Sequence, residues 1–466
     1  MSDRDPANRS AQIPRCPGTS WDDIMATDTR PVPEFMKEDA YEYRGSEPLA
    51  AERYTSREFM ELENRKMWPR VWQFAAREED LPEPGDYVVY ENAGRSYLVV
   101  RQEDGSVRAF HNVCLHRGRK LRTESGWAAD FQCPFHGFTW NTDGSLKHIP
   151  CRWDFPHLTE EKMKLPEPEV GRWGGYIFLR EEPGGPSLEE FLAPLPEHFK
   201  RWRHEECTTA IWVAKVVPAN WKVTAEAFME AWHALVTHPQ LLPFTGDANT
   251  RYNIYGDNVN VAFTPFAVMS PHIDPEGKSQ QWIVDEFVKY NGRSADNYDG
   301  EASLRVEVPE GLTARRALAE AARKQYTQMF GHDHSHATDS ELLDAFTYNV
   351  FPNFAPWGGF MPNIVYRWRP GNDPDHCLME VRILTRVPPG QPIPRSVPMK
   401  MLGADEPWST AKELGILGDV FDQDMENLPY VQEGLKASKN GEVQLGNYQE
   451  IRVRQFHQTL DKYLAD

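Results

Sequence analysis

The sequence predicts an α+β protein of two domains, in which a small antiparallel β domain precedes a larger domain of strands and helices. Its 466 residues exceed the size of one typical domain and suit two. Tight-turn signals at residues 92–94, 104–105 and 143–144 separate short runs of strand-forming residues. Beyond the Pro- and Gly-rich segment 181–186, helical and strand patterns alternate over longer stretches.

These patterns divide the chain into three parts. Residues 1–50 are polar and contain several prolines, and no sustained periodicity runs through them. We therefore expect an extended arm that packs on a neighbouring subunit. We place a first domain, with a leading helix, at residues 51–185 and a second domain at residues 186–466.

In the first domain, apolar residues at helical spacing predict a helix over residues 56–68, which Pro69 ends. Strands follow, and the short turns between them favour antiparallel pairing. The predicted strands cover residues 87–90, 96–101, 107–111 and 174–180.

The second domain is predicted to mix longer strands with helices. Ala, Arg and Gln enrich one predicted helix, and Gly331 ends it. The predicted strands cover residues 208–217, 259–271, 281–290, 346–354, 360–369 and 376–387. The predicted helices cover residues 220–236, 313–330, 415–435 and 448–464.

Composition and charge exclude several classes of protein. The formal net charge of −19 argues against nucleic acid or an anionic membrane surface as a partner. No apolar run is long enough to span a bilayer, and the polar N-terminus lacks the apolar core of a signal peptide. Cys16, Cys151, Cys207 and Cys377 are scattered, which is typical of reduced thiols. We therefore expect a soluble cytoplasmic protein.

Two cysteines and two histidines alternate in the first domain. One residue lies between Cys114 and His116, and two residues lie between Cys133 and His136. Such a set can hold a [2Fe–2S] cluster, with two thiolates on one iron and two imidazoles on the other. The neutral imidazoles raise the reduction potential to about −150 to +300 mV, against about −400 mV for an all-cysteine plant-type cluster. The pattern therefore predicts a Rieske centre that accepts electrons and passes them on.

Zinc is the alternative occupant, because it also takes nitrogen and sulfur ligands in a tetrahedral site. Its usual motif places a cysteine pair before a histidine pair instead of alternating the two residue types. Val113 and Leu115 flank the first pair, and Phe138 and Trp140 follow the second, as expected for two loops that each join a strand. This context favours the iron–sulfur cluster.

A second constellation lies in the predicted helix 220–236 and just beyond it. Glu230, His233 and His238 suggest part of a 2-His-1-carboxylate iron site, which leaves positions on Fe(II) open for O2 and substrate. At about 100° per residue, the two histidines lie about 140° apart around an ideal helix, so both cannot face one metal. Pro239 disfavours helical geometry at His238. We therefore expect the helix to distort or end between the two histidines.

The third iron ligand is expected to be a carboxylate from another part of the chain. Asp424 is the first choice and Asp422 the second, and spacing alone does not separate them. The alternative to a metal site is an ordinary amphipathic helix with two hydrogen-bonded histidines. The upstream electron-transfer centre favours the metal site, because its electrons need an acceptor.

Taken together, these motifs resemble the oxygenase (alpha) subunit of the Rieske non-haem iron oxygenases, the superfamily of ring-hydroxylating dioxygenases and N- or O-demethylases. The resemblance extends from about residue 54 to about residue 434. Respiratory Rieske proteins usually carry an additional disulfide pair, at places where Arg119 and Phe135 stand here. The matching residues are Cys114, His116, Gly118, Cys133, His136, Asn220, Trp221, Lys222, Glu226, Glu230, His233, His238 and Pro239.

The resemblance implies a Rieske β-sandwich and a helix-grip (START-like) catalytic domain with a curved antiparallel sheet. It also implies an α3 or α3β3 assembly, in which the cluster of one subunit lies near the mononuclear Fe(II) of the next. Glu230 would bridge a cluster histidine and an iron histidine, at a position where many members have Asp and carnitine-monooxygenase-like members have Glu. Asp424 matches the iron carboxylate by its distance from Gln432. Ala227 and Trp232 depart from the Asn and Tyr that are common in the family.

The implied function is that of a terminal oxygenase. Electrons from NAD(P)H would arrive through a reductase, with or without a ferredoxin, and O2 would be activated at the mononuclear Fe(II). The expected substrate is a small hydrophobic, aromatic molecule that undergoes ring dihydroxylation or monooxygenation. Oxidative N- or O-dealkylation of an aromatic amide, amine or ether is the alternative. A pure electron-transfer protein and a ligand-binding protein without a working iron site are the competing functions.

Three further features have two interpretations each. A histidine tract at residues 332–336 suggests a metal site, but we favour a solvated loop before a helix capped near Asp339 or Ser340. Arg367 and Arg369 either bind a substrate carboxylate or form a surface ladder. Basic residues beside the cluster either dock an acidic electron donor or hydrogen bond within the loop, and these are Arg117, Arg119, Lys120 and Arg122.

Overall fold

The computed structural model describes residues 13–292, 306–360 and 363–465. The sheets in these residues are antiparallel except for one strand pair, and the helices are separate from them, which confirms the predicted α+β class. No helix in these three ranges has the length and apolar character needed to cross a membrane.

Three antiparallel sheets form the first domain. Asn92 pairs with Arg95 across a two-residue loop in which Ala93 and Gly94 both have positive φ, which confirms the predicted hairpin. One sheet orders Val107–His111, Arg95–Arg101, Asp86–Asn92 and Gly126–Trp127. The second orders Asp130–Gln132, Thr139–Asn141 and Leu146–His148, and the third orders Glu169–Trp173, Tyr176–Arg180 and Gln73–Arg77.

The predicted leading helix is present. Ser56 caps the helix Arg57–Leu62, because its hydroxyl accepts from the Phe59 N–H, and the π-helical turn Glu63–Met67 extends it towards Pro69. The Lys222 Nζ of the second domain donates to Glu63 over 2.6 Å, and both side chains are buried. This helix therefore joins the two domains.

In its described residues, the second domain is built on one sheet of eight strands. Neighbouring strands are antiparallel except for the last pair, which is parallel. In sheet order the strands are Arg251–Tyr255, Val259–Thr264, Ala345–Val350, Ala355–Gly358, Asn363–Pro370, Cys377–Arg386, Cys207–Val217 and Lys400–Leu402.

Helices pack around this sheet. The predicted helices 313–330 and 448–464 are confirmed, whereas the predicted helix 415–435 is divided into Ile416–Met425 and Leu428–Ala437. Thr313 caps Ala314–Phe330, and Gly331 ends it with a φ of 68°. The helices of this domain are Leu188–Leu192, Leu195–His198, Trp221–Glu226, Ala234–Thr237, Gln280–Gly292, Ala314–Phe330, Asp339–Leu343, Ile416–Met425, Leu428–Ala437 and Ile451–Ala465.

The prediction of a strand over residues 281–290 is wrong, because this segment lies in the helix Gln280–Gly292. Ile283 and Val284 are buried, and Phe287 packs against the same cluster one turn later. This spacing places one apolar stripe on the neighbouring helix Ala314–Phe330. Burial of the stripe outweighs the local strand preference of the β-branched residues.

Another predicted strand is too long, and its neighbour was missed. The strand predicted over residues 259–271 ends at Thr264, and the strand Arg251–Tyr255 was not predicted. The two strands pair with each other, with Arg251 opposite Phe263.

The described part of the N-terminal arm packs on its own chain, where we expected a neighbouring subunit. Trp21 is buried against Phe263, and its Nε1 donates to Asp344 over 3.0 Å. Further along, Leu49–Ala50 pairs with Glu442–Val443. The arm also forms two short helices, Trp21–Met25 and Glu34–Lys37.

Candidate metal centres

Two loops with the same closing hydrogen bond carry the Cys–His pairs of the first domain. The Gly118 N–H donates to Cys114 O over 2.9 Å, and the Gly137 N–H donates to Cys133 O over 3.0 Å. The φ values of the two glycines are 77° and 75°, a region that side chains disfavour. The glycine four residues after each cysteine therefore allows each loop to turn back on itself.

The two thiols meet between these loops. Cys114 and Cys133 are both buried and belong to the same hydrophobic cluster. Burial raises the pKa of the Cys114 thiol, and the backbone N–H groups of His116 and Arg117 act in the opposite direction. N–H groups that point at a sulfur atom stabilise a thiolate ligand.

The histidine rings lie beside the thiols. The ring centroids of His116 and His136 are 4.7 Å apart, and His116 stacks on Phe138 at 4.5 Å. The Nδ1 atom of His116 is buried, and no described residue hydrogen bonds to it. A buried ring nitrogen without a partner is unfavourable, and it is the kind of atom that a metal accepts. The four residues therefore fit a [2Fe–2S] cluster.

The segment that carries Glu230, His233 and His238 differs from the prediction. The sequence predicted one helix over residues 220–236, and the structure divides it. The helices Trp221–Glu226 and Ala234–Thr237 flank an irregular stretch, so the main break lies before His233. The second helix does end before His238, whose φ of −125° and ψ of 54° are not helical. Pro239 follows His238 and disfavours helical geometry there, which confirms the predicted end.

The break brings His233 and His238 to one carboxylate. The Nε2 atom of His238 lies 3.1 Å from Asp424 Oδ1, and the Nε2 atom of His233 lies 3.7 Å from it. One ligand atom from each of the three residues can be chosen so that all lie within 4.8 Å of one another. Among the described residues, no other group of three His, Cys, Asp or Glu side chains meets this criterion.

Two side chains behind the histidines orient their rings. His233 Nδ1 lies 2.5 Å from Glu230 Oε1, and His238 Nδ1 lies 2.8 Å from Gln423 Oε1. Because each Nδ1 faces an acceptor, each Nε2 is left with a free lone pair directed to Asp424. The set therefore fits Fe(II) held by two histidines and one carboxylate. Sequence reasoning missed Gln423, for which no spacing signal exists.

Glu230 also sets the charge around His233. Burial lowers the pKa of His233, but the hydrogen bond to Glu230 and the charges of Glu230 and Asp424 outweigh burial and raise it. The backbone N–H of His233 donates to the second oxygen of Glu230 over 3.0 Å. Both carboxylate oxygens therefore face the same histidine.

The structure separates the two candidate carboxylates. Asp422 accepts from the backbone N–H groups of Trp408 over 2.6 Å and Ser409 over 3.1 Å. Its carboxylate therefore caps a neighbouring turn, whereas the buried Asp424 faces the histidines.

Aromatic side chains lie beside Asp424. Phe228 packs on Tyr366 at 4.8 Å and on Trp368 at 5.5 Å, and Phe421 lies 6.1 Å from both Phe228 and Tyr366. Burial, followed by the charge of Asp424, raises the pKa of Tyr366, so its hydroxyl stays protonated. These rings form one aromatic cluster, and Tyr366 lies close enough to Asp424 to respond to its charge.

Arg367 and Arg369 do not form a surface ladder. Arg367 is buried and binds Glu380 with two nitrogens, at 3.0 and 2.6 Å. Arg369 donates to the same carboxylate over 2.6 Å. Glu380 therefore occupies both arginines that were candidates for a substrate carboxylate.

The histidine tract and the basic residues beside the cluster are partly used within the chain. His334 is buried, with its Nδ1 2.9 Å from His332 O, so the loop is less solvated than predicted. Thr338 caps the helix that follows, one residue before the predicted cap. Arg122 donates to Asp130 O over 2.8 Å, whereas Lys120 pairs with Glu91 at the surface.

Comparison with known proteins identifies the family. A model of the ring hydroxylating alpha subunit (catalytic domain) matches residues 197–466, and a model of the Rieske [2Fe-2S] domain matches residues 71–159. The chain belongs to the ring-hydroxylating alpha subunit family. In this alpha subunit the first domain implies a [2Fe–2S] cluster, not zinc, and the second implies a mononuclear iron.

The names of the curated relatives of the alpha subunit indicate different substrates. Chlorobenzene dioxygenase subunit alpha of Cupriavidus sp. (strain PS12) is 34% identical over 191 residues, which cover 40% of this chain and 42% of the relative. The glycine betaine monooxygenase oxygenase subunit of Pseudomonas aeruginosa is 30% identical over 190 residues, 41% and 44% of the two chains. The carnitine monooxygenase oxygenase subunit of Acinetobacter baumannii is 29% identical over 189 residues, 40% and 51%. The chain spans about half the length of the curated relatives it matches.

Solved structures share the fold of the alpha subunit. A quaternary ammonium Rieske monooxygenase in complex with L-carnitine has a TM-score of 0.60 and 18% identity, over 89% of this chain and 95% of that chain. Naphthalene 1,2-dioxygenase with indole bound has a TM-score of 0.63 and 18% identity, over 92% and 94%. These similarities confirm the predicted combination of a Rieske domain and a catalytic domain.

Proposed function

We propose that this chain is the terminal component of an oxygenase system that uses O2 and electrons from NAD(P)H to oxidise a small hydrophobic molecule. The observation that carries the proposal is the convergence of His233, His238 and Asp424 in a chain that also has a Rieske domain. When bound, the cluster supplies single electrons and the mononuclear iron activates O2.

The proposal assigns a role to each residue around the two centres. Glu230 and Gln423 hold the iron histidines in the orientation that leaves their Nε2 atoms free. The cluster ligands are Cys114, His116, Cys133 and His136. The iron ligands are His233, His238 and Asp424.

Exposed apolar side chains near both centres support a head-to-tail trimer. Phe135 is 56% exposed and Trp153 is 81% exposed on the cluster side. Trp232, Val236 and Tyr430 are exposed by 44%, 82% and 69% on the iron side. Two such surfaces on one chain suit a closed ring, in which each surface covers the other on the next subunit. In such a ring Glu230 would also contact a cluster histidine of the next subunit and carry electrons between the two centres.

A neutral substrate is favoured over a zwitterion. Tyr366, which packs on Phe228, responds to the charge of Asp424. Glu380 already binds Arg367 and Arg369, which leaves neither arginine free for a substrate carboxylate. We therefore propose an aromatic substrate that is dihydroxylated or monooxygenated.

Oxidative dealkylation is the second candidate function. Aromatic faces such as those of Tyr366 and Trp368 also attract alkylammonium groups. The glycine betaine and carnitine monooxygenases among the relatives favour an N-alkyl substrate.

A reductase, with or without a ferredoxin, is the proposed electron donor. Arg117, Arg119 and Lys120 are exposed beside the cluster in a chain of net charge −19. A basic patch of this kind attracts an acidic donor domain.

Product mass under 18O2 tests the proposed function. The purified protein would be combined with a generic reductase and with arenes, aryl ethers, N-alkyl amides and glycine betaine, and a His233→Ala variant would serve as the control. Two labelled oxygens in one product indicate dioxygenation, and one labelled oxygen or the loss of an alkyl group indicates monooxygenation or dealkylation. Repeated reduction and reoxidation of the cluster without a labelled product from any substrate class would contradict the proposal.

A further inference from the structure

The C-terminal segment, residues 449–465, contacts the irregular stretch between the helices Trp221–Glu226 and Ala234–Thr237. His457 Nε2 lies 2.7 Å from Glu226 Oε1 at the start of this stretch. Arg452 Nη1 donates to the carbonyl oxygen of Met229 over 3.2 Å. Both contacts come from the helix Ile451–Ala465.

A tyrosine relays a third contact. The Ala231 N–H donates to the hydroxyl oxygen of Tyr252 over 3.3 Å, and the Tyr252 hydroxyl donates to Gln449 Oε1 over 2.9 Å. The two segments therefore run antiparallel. Residues 457, 452 and 449 of the C-terminal segment contact residues 226, 229 and 231 in that order, the last through Tyr252. Glu230 lies between the second and the third contact.

Arg452 adds charge to this arrangement. It is 1% exposed, and its guanidinium also donates to Asn260 Oδ1 over 2.5 Å and to Thr347 O over 2.7 Å, both neutral oxygens. Burial lowers the pKa of Arg452 to about 9, while Tyr252 and then Glu230 act to raise it. The negative charge of Glu230 therefore offsets part of the free energy needed to bury this guanidinium.

We propose that Tyr252, Arg452 and His457 are positioning residues for Glu230 and, through Glu230, for the ring of His233. The stretch around Glu230 lacks the continuous hydrogen bonds of a helix, so side chains of other elements must hold it in place. The inference rests on the proposed roles of Glu230 and His233 at the iron site. Loss of a group that orients a metal ligand typically lowers metal affinity or activity about 10- to 100-fold.

A pair of tyrosine variants tests the inference in the full-length, cluster-loaded protein. Tyr252→Phe removes the relay, and Tyr255→Phe removes a hydroxyl from the same strand that accepts from Asn253. We expect Tyr252→Phe to weaken Fe(II) binding, measured by competition with a chelator, about 10-fold, and Tyr255→Phe to leave it unchanged. Equal Fe(II) affinity in the two variants would overturn the inference.

Two variants of His457 test whether the effect is purely structural. His457→Gln keeps a donor towards Glu226, so it should retain more Fe(II) affinity than His457→Phe. If both variants lower the melting temperature but bind Fe(II) like the wild type, His457 only stabilises the fold and the inference is wrong.

Single-turnover oxidation of the reduced cluster separates this inference from the proposed function. If Glu230→Gln leaves that rate unchanged while Tyr252→Phe still weakens Fe(II) binding, the positioning role stands and the proposed electron route through Glu230 fails. If Glu230→Gln slows the rate and Tyr252→Phe changes neither quantity, the positioning role fails alone.

Discussion

Gln423 Oε1 lies 2.8 Å from His238 Nδ1. His233, the other histidine of the candidate iron site, faces a carboxylate at the equivalent atom, so the two rings have different partners. A carboxylate makes an imidazole ligand more basic than an amide does. The site therefore combines one strongly donating histidine with one that a neutral side chain orients.

The amide at position 423 is expected to matter for metal binding. Gln423→Leu removes the acceptor for His238 Nδ1 and should weaken Fe(II) binding about 10-fold. Gln423→Glu keeps an acceptor oxygen and should bind Fe(II) more tightly than the leucine variant. Iron content after dialysis against a chelator measures the effect, and equal iron in both variants would contradict this role.

The two neighbouring aspartates should respond differently to the same substitution. Asp424→Asn should lose the mononuclear iron while the cluster remains, because Asp424 faces both histidines. Asp422→Asn should keep the iron but lose about 1 kcal/mol of stability, because it weakens hydrogen bonds to two backbone N–H groups. Metal analysis and urea unfolding distinguish the variants, and the reverse pattern would assign the ligand to Asp422.

The cluster should depend on Cys114 and not on Cys151. Cys114→Ser is expected to abolish the visible absorption of the cluster and its acid-labile sulfide, while mononuclear iron still binds. Cys151→Ser is the matched control, since Cys151 is exposed and its substitution should leave both properties intact. Zinc in place of labile sulfide in the purified wild-type protein would refute the cluster assignment.

Acid should destabilise the fold partly through His198. Burial lowers the pKa of His198 from 6.5 to about 4, and its Nδ1 lies 2.9 Å from the Tyr348 hydroxyl. Because the folded-state pKa is depressed, the neutral ring favours folding above pH 6.5, and this contribution is lost as the pH falls towards 4. Between about pH 7.5 and pH 5 the loss amounts to about 2 kcal/mol.

Urea unfolding at several pH values tests the contribution of His198. His198→Asn does not titrate and should show a shallower loss of stability in this range. A slope equal to that of the wild type would mean that other groups cause the acid sensitivity. Asp28 acts in the opposite direction, because burial raises its pKa to about 6 and its contribution is lost as the pH rises.

Reversal of one surface charge tests the basic patch beside the cluster. Lys120→Glu should slow reduction by an acidic donor roughly three- to ten-fold at low salt and flatten the salt dependence. Lys164→Glu changes a lysine of the same domain that pairs with Glu167 and serves as the control. Equal reduction rates for the two variants at all salt concentrations would remove the docking role of Lys120.

Local sequence patterns predicted the elements that depend on neighbouring residues. The turn at residues 93–94, the cap at Gly331 and the end of the helix before His238 follow from single residues whose backbone preferences are strong. The helix Gln280–Gly292 was missed because its β-branched residues favour a strand locally. Its helical form is stabilised by the packing of its apolar stripe on the helix Ala314–Phe330, which the local sequence does not show.

By itself, the sequence determined the two cluster loops and the end of the helix before His238, because these depend on short spacings and on glycine and proline. Only the tertiary structure chose Asp424 over Asp422 and brought Gln423 to a histidine 185 residues away. Such contacts join distant parts of the chain, and they are decided by how the sheet and its helices pack rather than by any local preference.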